Sequence, residues 1–404
     1  MTNLRHVLSQ SENRRDIWFF FLSYFFSLFN YPLVRAASTT MFIEEFGAKS
    51  SPLAWLVTIV VLSFTIFIFN RYQARHSVQK VFLWVSLLST AVFASSTLGF
   101  QLHTSYASYF SFVWKEICIV LQVHLLLAYG NNFFKREDFK LLVGPLGALG
   151  SIGGILGGVI TTYLGNKFGP TTVSWFSLIF VLLPAFFFNR TLKLKTEGLE
   201  TSASPLETIN TPVVRRYVMY ISLIVMVTQF VINIADFNFN LSFEQNVSLV
   251  NEKTAYLGSV YTWTNVLSLV LQVLILPFLL ARISERALHL FIPLSYLSLF
   301  LALFLTGSFA LSNVALFYIF LKASDYSLFS GGKELLYQVL LPEQKYGAKY
   351  LTDMFIYRAS KALIAVVLIY VQTSSILNMM MVTFLLIWVI LVIKVFKIQR
   401  NFLY

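Results

Sequence analysis

The chain has 404 residues, of which 57% are hydrophobic and only 12% are charged. A soluble globular protein carries about 25% charged residues, so this composition excludes a soluble domain and a disordered chain. The net charge of +12 does not indicate a nucleic-acid partner, because the basic residues lie between long apolar segments. The composition therefore predicts a membrane protein.

Twelve apolar segments follow one another along the chain. A helix that crosses a hydrocarbon layer of about 30 Å needs roughly 20 apolar residues. The segments cover about residues 17–40, 52–70, 81–101, 106–130, 141–164, 171–189, 214–240, 256–281, 287–307, 311–330, 350–371 and 375–396. The first is longer than the apolar part of a cleaved signal and has no small-residue cleavage site, so we interpret it as a span. The sequence predicts an all-α integral membrane protein with twelve transmembrane helices.

A polar stretch divides the predicted spans into two sets of six. It runs from Arg190 to Arg216 and contains the segment TLKLKTEGLETSASPLETINTP, which is typical of a linker. We predict an N-terminal six-helix half at residues 1–189, a cytoplasmic linker at 190–213 and a C-terminal six-helix half at 214–404.

The basic residues predict the orientation, because they accumulate in the cytoplasmic loops of membrane proteins. If both termini are cytoplasmic, the inner segments hold 22 of the 30 lysines and arginines, and the outer loops hold three. The other five lie inside predicted spans. This bias predicts that both termini are cytoplasmic, and it explains most of the net charge as a signal of topology.

Charges inside the predicted spans recur at a nearly constant offset. Lys115 and Glu116 in span four are matched by Lys322 and Asp325 in span ten, 207 and 209 positions later, and Arg35 in span one is matched by Asp236 in span seven, 201 positions later. Two six-helix halves related by an axis along the membrane normal are typical of the major-facilitator arrangement, in which the substrate binds between the halves.

Residues that are charged within the membrane are candidates for function, since each costs at least about 2.5–3.5 kcal/mol on insertion scales. The candidates, with a flanking amide, are Arg35, Lys115, Glu116, Asp236, Asn238, Lys322, Asp325, Asp353, Arg358 and Lys361. They can neutralise one another, for example by an i,i+3 pair of Lys322 with Asp325, or as a solvated helix end at Asp353.

The alternative is that some of the cations meet an anionic ligand. Arg358 and Lys361 are like charges at i,i+3 on span eleven, and the nearest acid of that span, Asp353, is eight positions from Lys361. Arg35 has the same character, with Asn30 and Tyr31 about one turn earlier. An anionic substrate would supply the missing counter-charge at these positions.

Span five is rich in glycine, with seven between Gly144 and Gly158. A phosphate-cradling loop would need a preceding strand, which the sequence does not predict. The overlapping small-xxx-small spacings, such as Gly150/Gly154 and Gly154/Gly158, instead indicate a surface for close helix packing.

Several segments resemble the nucleotide transporter family of ATP/ADP translocases of plastids and intracellular bacteria, within the wider major-facilitator fold. They are VRAASTTMFIEEFGAKSSPLAW, FVWKEICIVLQVHLLLAYGNNFFKREDFKLLVGPLGALGSIGGILGG, INIADFNFNLSFEQ, YLGSVYTWTNVLSLVLQ and GGKELLYQVLLPEQKYGAKYLTDMFIYRASKA. The last is similar to the family's Lys-Glu-x-x-Tyr to Arg-x-x-Lys run and is the most specific match. The resemblance implies that Glu116, Asp236 and Lys361 serve transport, with Lys49 as a looser match.

The resemblance and the intramembrane cations together predict a secondary transporter of nucleotides, by ATP/ADP exchange or proton-coupled import, in a bacterial inner membrane. A carrier of another organic anion, a phosphorylated anion or a peptide stays open, as does a membrane scaffold or sensor that acts through its cytoplasmic loops. We expect no enzymatic activity, because no nucleophile–base spacing, ATP-hydrolysing motif or metal-ligand set appears. We expect no cofactor, no metal and no nucleic-acid partner, and a monomer whose partners are its substrate and the lipid bilayer.

Overall fold

A computed structural model describes residues 14–73, 75–134, 136–193, 207–209, 211–305 and 310–400 of the chain. Within these ranges the secondary structure is helical, with no strand. The regular helices are α1 (Arg14–Phe46), α2 (Ser51–Gln73), α3 (Val78–Gln101), α4 (Ala107–Phe133), α7 (Pro212–Asn246), α9 (Glu285–Leu305) and α12 (Ser374–Arg400).

Helices α5 and α6 together form the continuous segment Arg136–Phe188, which is interrupted at Gly169. Gly169 has φ +81° and ψ −177°, a conformation that residues with a Cβ rarely adopt. Pro170 follows it, and proline suits the first turn of a helix because its missing N–H is not needed there. We therefore divide the segment into α5, residues 136–168, and α6, residues 170–188.

In the described part of the chain, three helices contain a π-helical turn, in which one residue more than usual is accommodated. Helix α8 (Val250–Arg282) has its π turn at Leu271–Ile275. Helix α10, residues 311–336, has one at Asp325–Phe329, and α11, residues 342–370, has one at Tyr350–Ile356. Such turns are rare and frequently lie at functional sites.

The predicted all-α class with twelve membrane-spanning helices is confirmed. In the described part of the chain, nine helical segments are long and apolar enough to cross a membrane, and one of them contains both α5 and α6. Helices α10 and α11, which their π turns divide, complete the twelve. The predicted ends differ from the observed ones by several residues. Helix α8, for example, begins at Val250 and not at 256. The polar residues at its start belong to the helix but are not part of an apolar segment, so hydropathy does not include them.

The chain packs into two compact units. The first comprises the described residues of Met1–Gly47, Val60–Gly198 and Val247–Val266, and the second those of Ala48–Ile59, Leu199–Asn246 and Leu267–Tyr404. The start of α2 thus packs in the second unit, and the first half of α8 packs in the first. The predicted linker at 190–213 lies largely outside the described residues, and the division predicted there stays a prediction.

Equivalent helices pack together in each unit. In the first, α1 packs against α4 and against the α5–α6 segment, while α3 packs against α4 and α5–α6. In the second, α7 packs against α10, α11 and α12, and α9 packs against α10 and α12. These arrangements bring the charged residues of α1 close to those of α4, and those of α7 close to those of α10.

Candidate functional site

The first charged cluster joins α1 to α4. The Arg35 Nε lies 4.0 Å from Oε1 of Glu116, and the Tyr31 hydroxyl donates to both Glu116 carboxylate oxygens at 3.3 Å. The Arg35 guanidinium lies over two aromatic rings, 5.5 Å from the centre of Tyr31 and 4.7 Å from that of Tyr261 on α8. A cation over an aromatic face is attracted by the ring quadrupole. Arg35 therefore contacts two aromatic rings and a carboxylate.

Lys115 lies next to Glu116 in the chain, about 100° around the helix. Its side chain is buried, at 4% exposure, and its Nζ lies 3.0 Å from the centre of the Phe112 ring. Phe112 in turn stacks on Phe42 of α1 at 4.0 Å between ring centres. The two neighbouring charges thus have different surroundings, as their positions on the helix predict.

The second cluster joins α7 to α10. The Lys322 ammonium donates to Oδ2 of Asp236 at 2.7 Å, and the two side chains are 10% and 16% exposed. Sequence reasoning offered Asp325 as a partner of Lys322, and the structure shows that Lys322 bonds to Asp236 on another helix. Asn238 is half-buried and lies two residues beyond Asp236, about 200° around the helix, so it does not share that face.

Asp325 lies at the first position of the π turn of α10, three residues after Lys322. Charges from α7, α10 and α11 act on it, namely those of Asp236, Lys322, Lys333 and Lys361. Asp325 and Lys361, which are distant in the sequence, are therefore within electrostatic range of each other. The two residues belong to one charged region of the second unit.

The basic pair of α11 lies beyond its π turn. Lys361 has its Nζ 5.1 Å from the centre of the Tyr357 ring, and the Arg358 side chain is half-buried. Asp353 is engaged elsewhere, since the Lys333 ammonium donates to it at 2.7 Å and the Tyr337 hydroxyl at 3.4 Å. Within the described parts of the chain, the Arg358 guanidinium makes no side-chain hydrogen bond and has no acidic side chain within 4.0 Å.

Asp353 thus joins α11 to the end of α10. Sequence reasoning had instead offered Asp353 as a solvated helix end. A second ion pair, between Lys349 and Glu334 at 2.5 Å, connects the same two helices. Burial and the neighbouring Asp353 carboxylate raise the pKa of Tyr337, so this hydroxyl stays protonated and can donate. These contacts fix the segment between the two helices.

The glycine-rich helix α5 packs as its spacing predicts. A Cβ at Gly153 would lie 2.7 Å from the Phe25 carbonyl oxygen of α1. A Cβ at Gly157 would overlap the Phe29 carbonyl oxygen of the same helix. On the other side, a Cβ at Gly154 would lie 2.6 Å from the Asn265 side chain of α8. The prediction of close helix packing is confirmed.

Sequence reasoning missed several members of these clusters. Tyr261 was one of many aromatic residues, and nothing in its local pattern indicated Arg35 as its neighbour. Lys253 is one of the three basic residues that the sequence assigned to outer loops, but it is buried at the start of α8 and pairs with Glu44 of α1. The next residue, Thr254, donates to Thr40 at 3.2 Å, so the contact extends along both helices.

Solved structures of several transporters have folds similar to that of this chain. A bacterial homologue of the iron transporter ferroportin aligns over 96% of this chain and 99% of its own, with 13% identity and a TM-score of 0.66. The D323A mutant of the nucleoside transporter NupG aligns over 95% and 99%, with 14% identity and a TM-score of 0.69. An auto-inhibited POT-family peptide transporter aligns over 96% and 97%, with 10% identity and a TM-score of 0.67.

At these identities the solved structures show the fold alone. The sequence matches no curated protein. The family model of the Major Facilitator Superfamily matches residues 20–347, which is most of the chain. With its helices long enough to span a membrane, this multi-pass membrane protein belongs to the major facilitator superfamily of secondary transporters.

Proposed function

We propose that this protein is a secondary transporter of nucleotides that works by alternating access in a bacterial inner membrane, with both termini in the cytoplasm. The orientation rests on the distribution of basic residues between the spans. The substrate class rests on the intramembrane cations and on the resemblance of several segments to the nucleotide transporter family. Both ATP/ADP exchange and proton-coupled import fit these observations.

The observation that carries the proposal is Arg358. It lies inside span eleven, half-buried, and in the described part of the chain no acidic side chain lies within 4.0 Å of it. Asp353, the acid nearest in sequence on that helix, is bound to Lys333. A guanidinium at membrane depth needs a counter-charge, and its planar fork of donors suits the paired oxygens of a phosphate.

Lys361 extends this basic surface. It lies three residues after Arg358, about 60° around the helix, so that both can contact one polyphosphate. The Lys361 ammonium lies over the ring of Tyr357. Arg and Lys act in different ways on a phosphate chain, because Arg gives bidentate contacts while Lys provides a point charge.

The other candidate residues contribute in different ways to this proposal. Lys115 and Arg35 add positive charge in the first unit, where Glu116 anchors Arg35. Asp236 holds Lys322 in place in the second unit. Glu116 and Asp236, both carboxylates at membrane depth, stay candidates for gating, and Asn238 stays a candidate for a neutral contact to the substrate.

Uptake of radiolabelled ATP and ADP by proteoliposomes, with and without unlabelled nucleotide inside, tests the proposal. We expect saturable uptake. Acceleration by unlabelled nucleotide in the lumen would favour exchange, and acceleration by an inward proton gradient would favour proton-coupled import. Arg358→Gln and Lys361→Gln should lower it at least tenfold, while Lys167→Gln should leave it unchanged because Lys167 is exposed outside the candidate site. No uptake of any nucleotide by correctly inserted protein would contradict the proposal.

A carrier of another phosphorylated anion is the second candidate, since Arg358 and Lys361 recognise phosphate whatever it is attached to. Competition separates the two. Sugar phosphates that inhibit ATP uptake as strongly as ADP does would favour the second candidate. Inhibition by nucleotides alone would favour the first.

A further inference from the structure

The π turn of α11, Tyr350–Ile356, is bonded to two neighbouring helices. Within it, Thr352 is fully buried, and its hydroxyl is hydrogen-bonded to the hydroxyl of Ser222 on α7 at 3.0 Å. The next residue, Asp353, accepts a hydrogen bond from the Lys333 ammonium of α10 at 2.7 Å. Two successive side chains of the π turn therefore bind to two different helices.

Further contacts join α7 and α10 beside this turn. The hydroxyl of Tyr337, a fully buried residue that follows α10, also donates to Asp353, at 3.4 Å. Next to it, the Tyr217 hydroxyl of α7 donates to the Leu336 carbonyl oxygen at the end of α10, at 2.9 Å. Each of the three helices is therefore bonded to the other two, and the π turn of α11 has a defined place between them.

The basic pair of α11, Arg358 and Lys361, begins two residues after the π turn. Such a turn accommodates one residue more than an α-helical turn, and one residue corresponds to about 100° around the helix axis. The directions of Arg358 and Lys361 relative to α7 and α10 therefore depend on this turn. Among the described residues, the Arg358 guanidinium makes no side-chain hydrogen bond, so the helix backbone, and not a bonded partner, determines where it lies.

We propose that Asp353 is a positioning residue for nucleotide binding, which holds the π turn on α10 and thereby directs Arg358 and Lys361 towards the phosphates. This role rests on the proposed nucleotide function. It differs in sign from a role through charge alone, because a carboxylate near two cations repels a phosphate. Removing Asp353 would strengthen ATP binding if only its charge mattered, and it weakens binding if the two cations lose their positions.

Equilibrium binding of labelled ATP to the purified full-length protein tests this role. We expect Asp353→Asn to weaken ATP binding about tenfold, as the loss of a bidentate phosphate contact does, with an unchanged number of sites per chain. Asp353→Glu keeps a carboxylate for Lys333 and should lose much less. Glu334→Gln is the matched control, because it removes the same charge and breaks the other ion pair of α10 with α11, at Lys349 before the π turn. It should leave the ATP affinity unchanged.

Two further variants separate position from charge and from folding. Thr352→Val removes the hydrogen bond to Ser222 without changing any charge, and we expect it to weaken ATP binding about threefold, in the range of one hydrogen bond. If Asp353→Asn does not fold, this variant decides the test. In Arg358→Gln protein, Asp353→Asn should weaken binding by a much smaller factor than in wild-type protein, because residues that act through one another are not additive.

The outcomes distinguish the positioning role from the function on which it rests. A structural role alone lowers the number of ATP sites per chain and leaves the affinity of the remaining sites unchanged. That result overturns the positioning role, as does an ATP affinity of Asp353→Asn equal to or above that of wild-type protein, or a loss that is the same with and without Arg358. The nucleotide function stands in these three cases. The absence of ATP binding by wild-type protein overturns both.

Discussion

In each of the two units an ion pair joins two packed helices, and the signs of the charges are exchanged between the two pairs. In the first unit α1 provides Arg35 and α4 provides Glu116; in the second, α7 provides Asp236 and α10 provides Lys322. Opposite charges therefore meet at both helix contacts, whichever helix carries the positive one. Sequence offsets alone matched Lys322 with Lys115 and did not reveal this exchange.

The surroundings of the two pairs differ more than their chemistry. The Arg35 guanidinium lies over the rings of Tyr31 and Tyr261, its Nε is 4.0 Å from Glu116, and the Glu116 side chain is 33% exposed. The pair of α7 and α10 is shorter and more buried, and a second carboxylate lies one turn away. The first pair thus resembles an anchor held by its neighbours, while the second lies within a region of several interacting charges.

Neutralising the carboxylate of each ion pair should give the largest difference in stability between the two pairs. Asp236→Asn leaves the buried Lys322 without its carboxylate at 2.7 Å, and removing one partner of a buried pair costs about 3–5 kcal/mol. Glu116→Gln should cost about 1 kcal/mol or less, because that pair is longer and more exposed. Reversible unfolding in mixed micelles measures both, and equal losses would contradict the distinction.

A substitution in α5 should test how tightly this helix packs against α1, the helix that carries Arg35. Gly157→Ala places a Cβ on the Phe29 carbonyl oxygen of α1, and such overpacking costs about 1–3 kcal/mol. Gly144→Ala is the matched control on the same helix, since its Cβ would meet nothing within 4 Å, and it should be neutral or slightly stabilising. Melting temperatures of the two variants that agree within error would argue against a tight α1–α5 contact.

Substitutions in the basic pair of α11, in the second unit, should change the affinity for ATP. Arg358→Gln should weaken ATP binding about tenfold, equivalent to about 1.4 kcal/mol, because a bidentate phosphate contact is lost. Arg358→Lys should recover only part of the loss, since a lysine keeps the charge without the fork. Equilibrium binding of labelled ATP measures this effect, and full recovery by lysine would show that charge alone matters.

The smallest effect is expected at Tyr31. Tyr31→Phe removes the hydroxyl that donates to Glu116 at 3.3 Å but keeps the ring beneath Arg35. The loss should be about 0.5–1 kcal/mol of unfolding free energy, typical of one hydrogen bond. Tyr31→Ala, which also removes the ring, should cost clearly more. If the two variants are equally stable, the ring does not help to hold Arg35.

The sequence predicted the features that depend on composition along one helix. Apolar length located the spans, and the spacing of Gly150, Gly154 and Gly158 indicated a packing surface, because both signals are local. The i,i+3 spacing of Lys322 and Asp325 offered a local partner, whereas the partner observed, Asp236, is 86 positions away and depends on how α7 meets α10.

Other contacts gave no signal that could be read in advance. Tyr261 and Lys253 reach α1 only because the first part of α8 packs in the first unit. The π turns at Asp325 and Tyr350 depend on hydrogen-bond register, to which hydropathy is insensitive.

The contact of α5 with the carbonyl groups of Phe25 and Phe29 brings two main chains together with no side chain between them. The closest neighbours of Gly153 and Gly157 are main-chain atoms, which cannot move away by changing a rotamer, so a displacement of α5 acts directly on the main chain of α1. Arg35 lies six residues beyond Phe29 on α1, about 9 Å along the helix axis. The glycines of α5 thereby link the position of that helix to the helix that carries the Arg35 guanidinium.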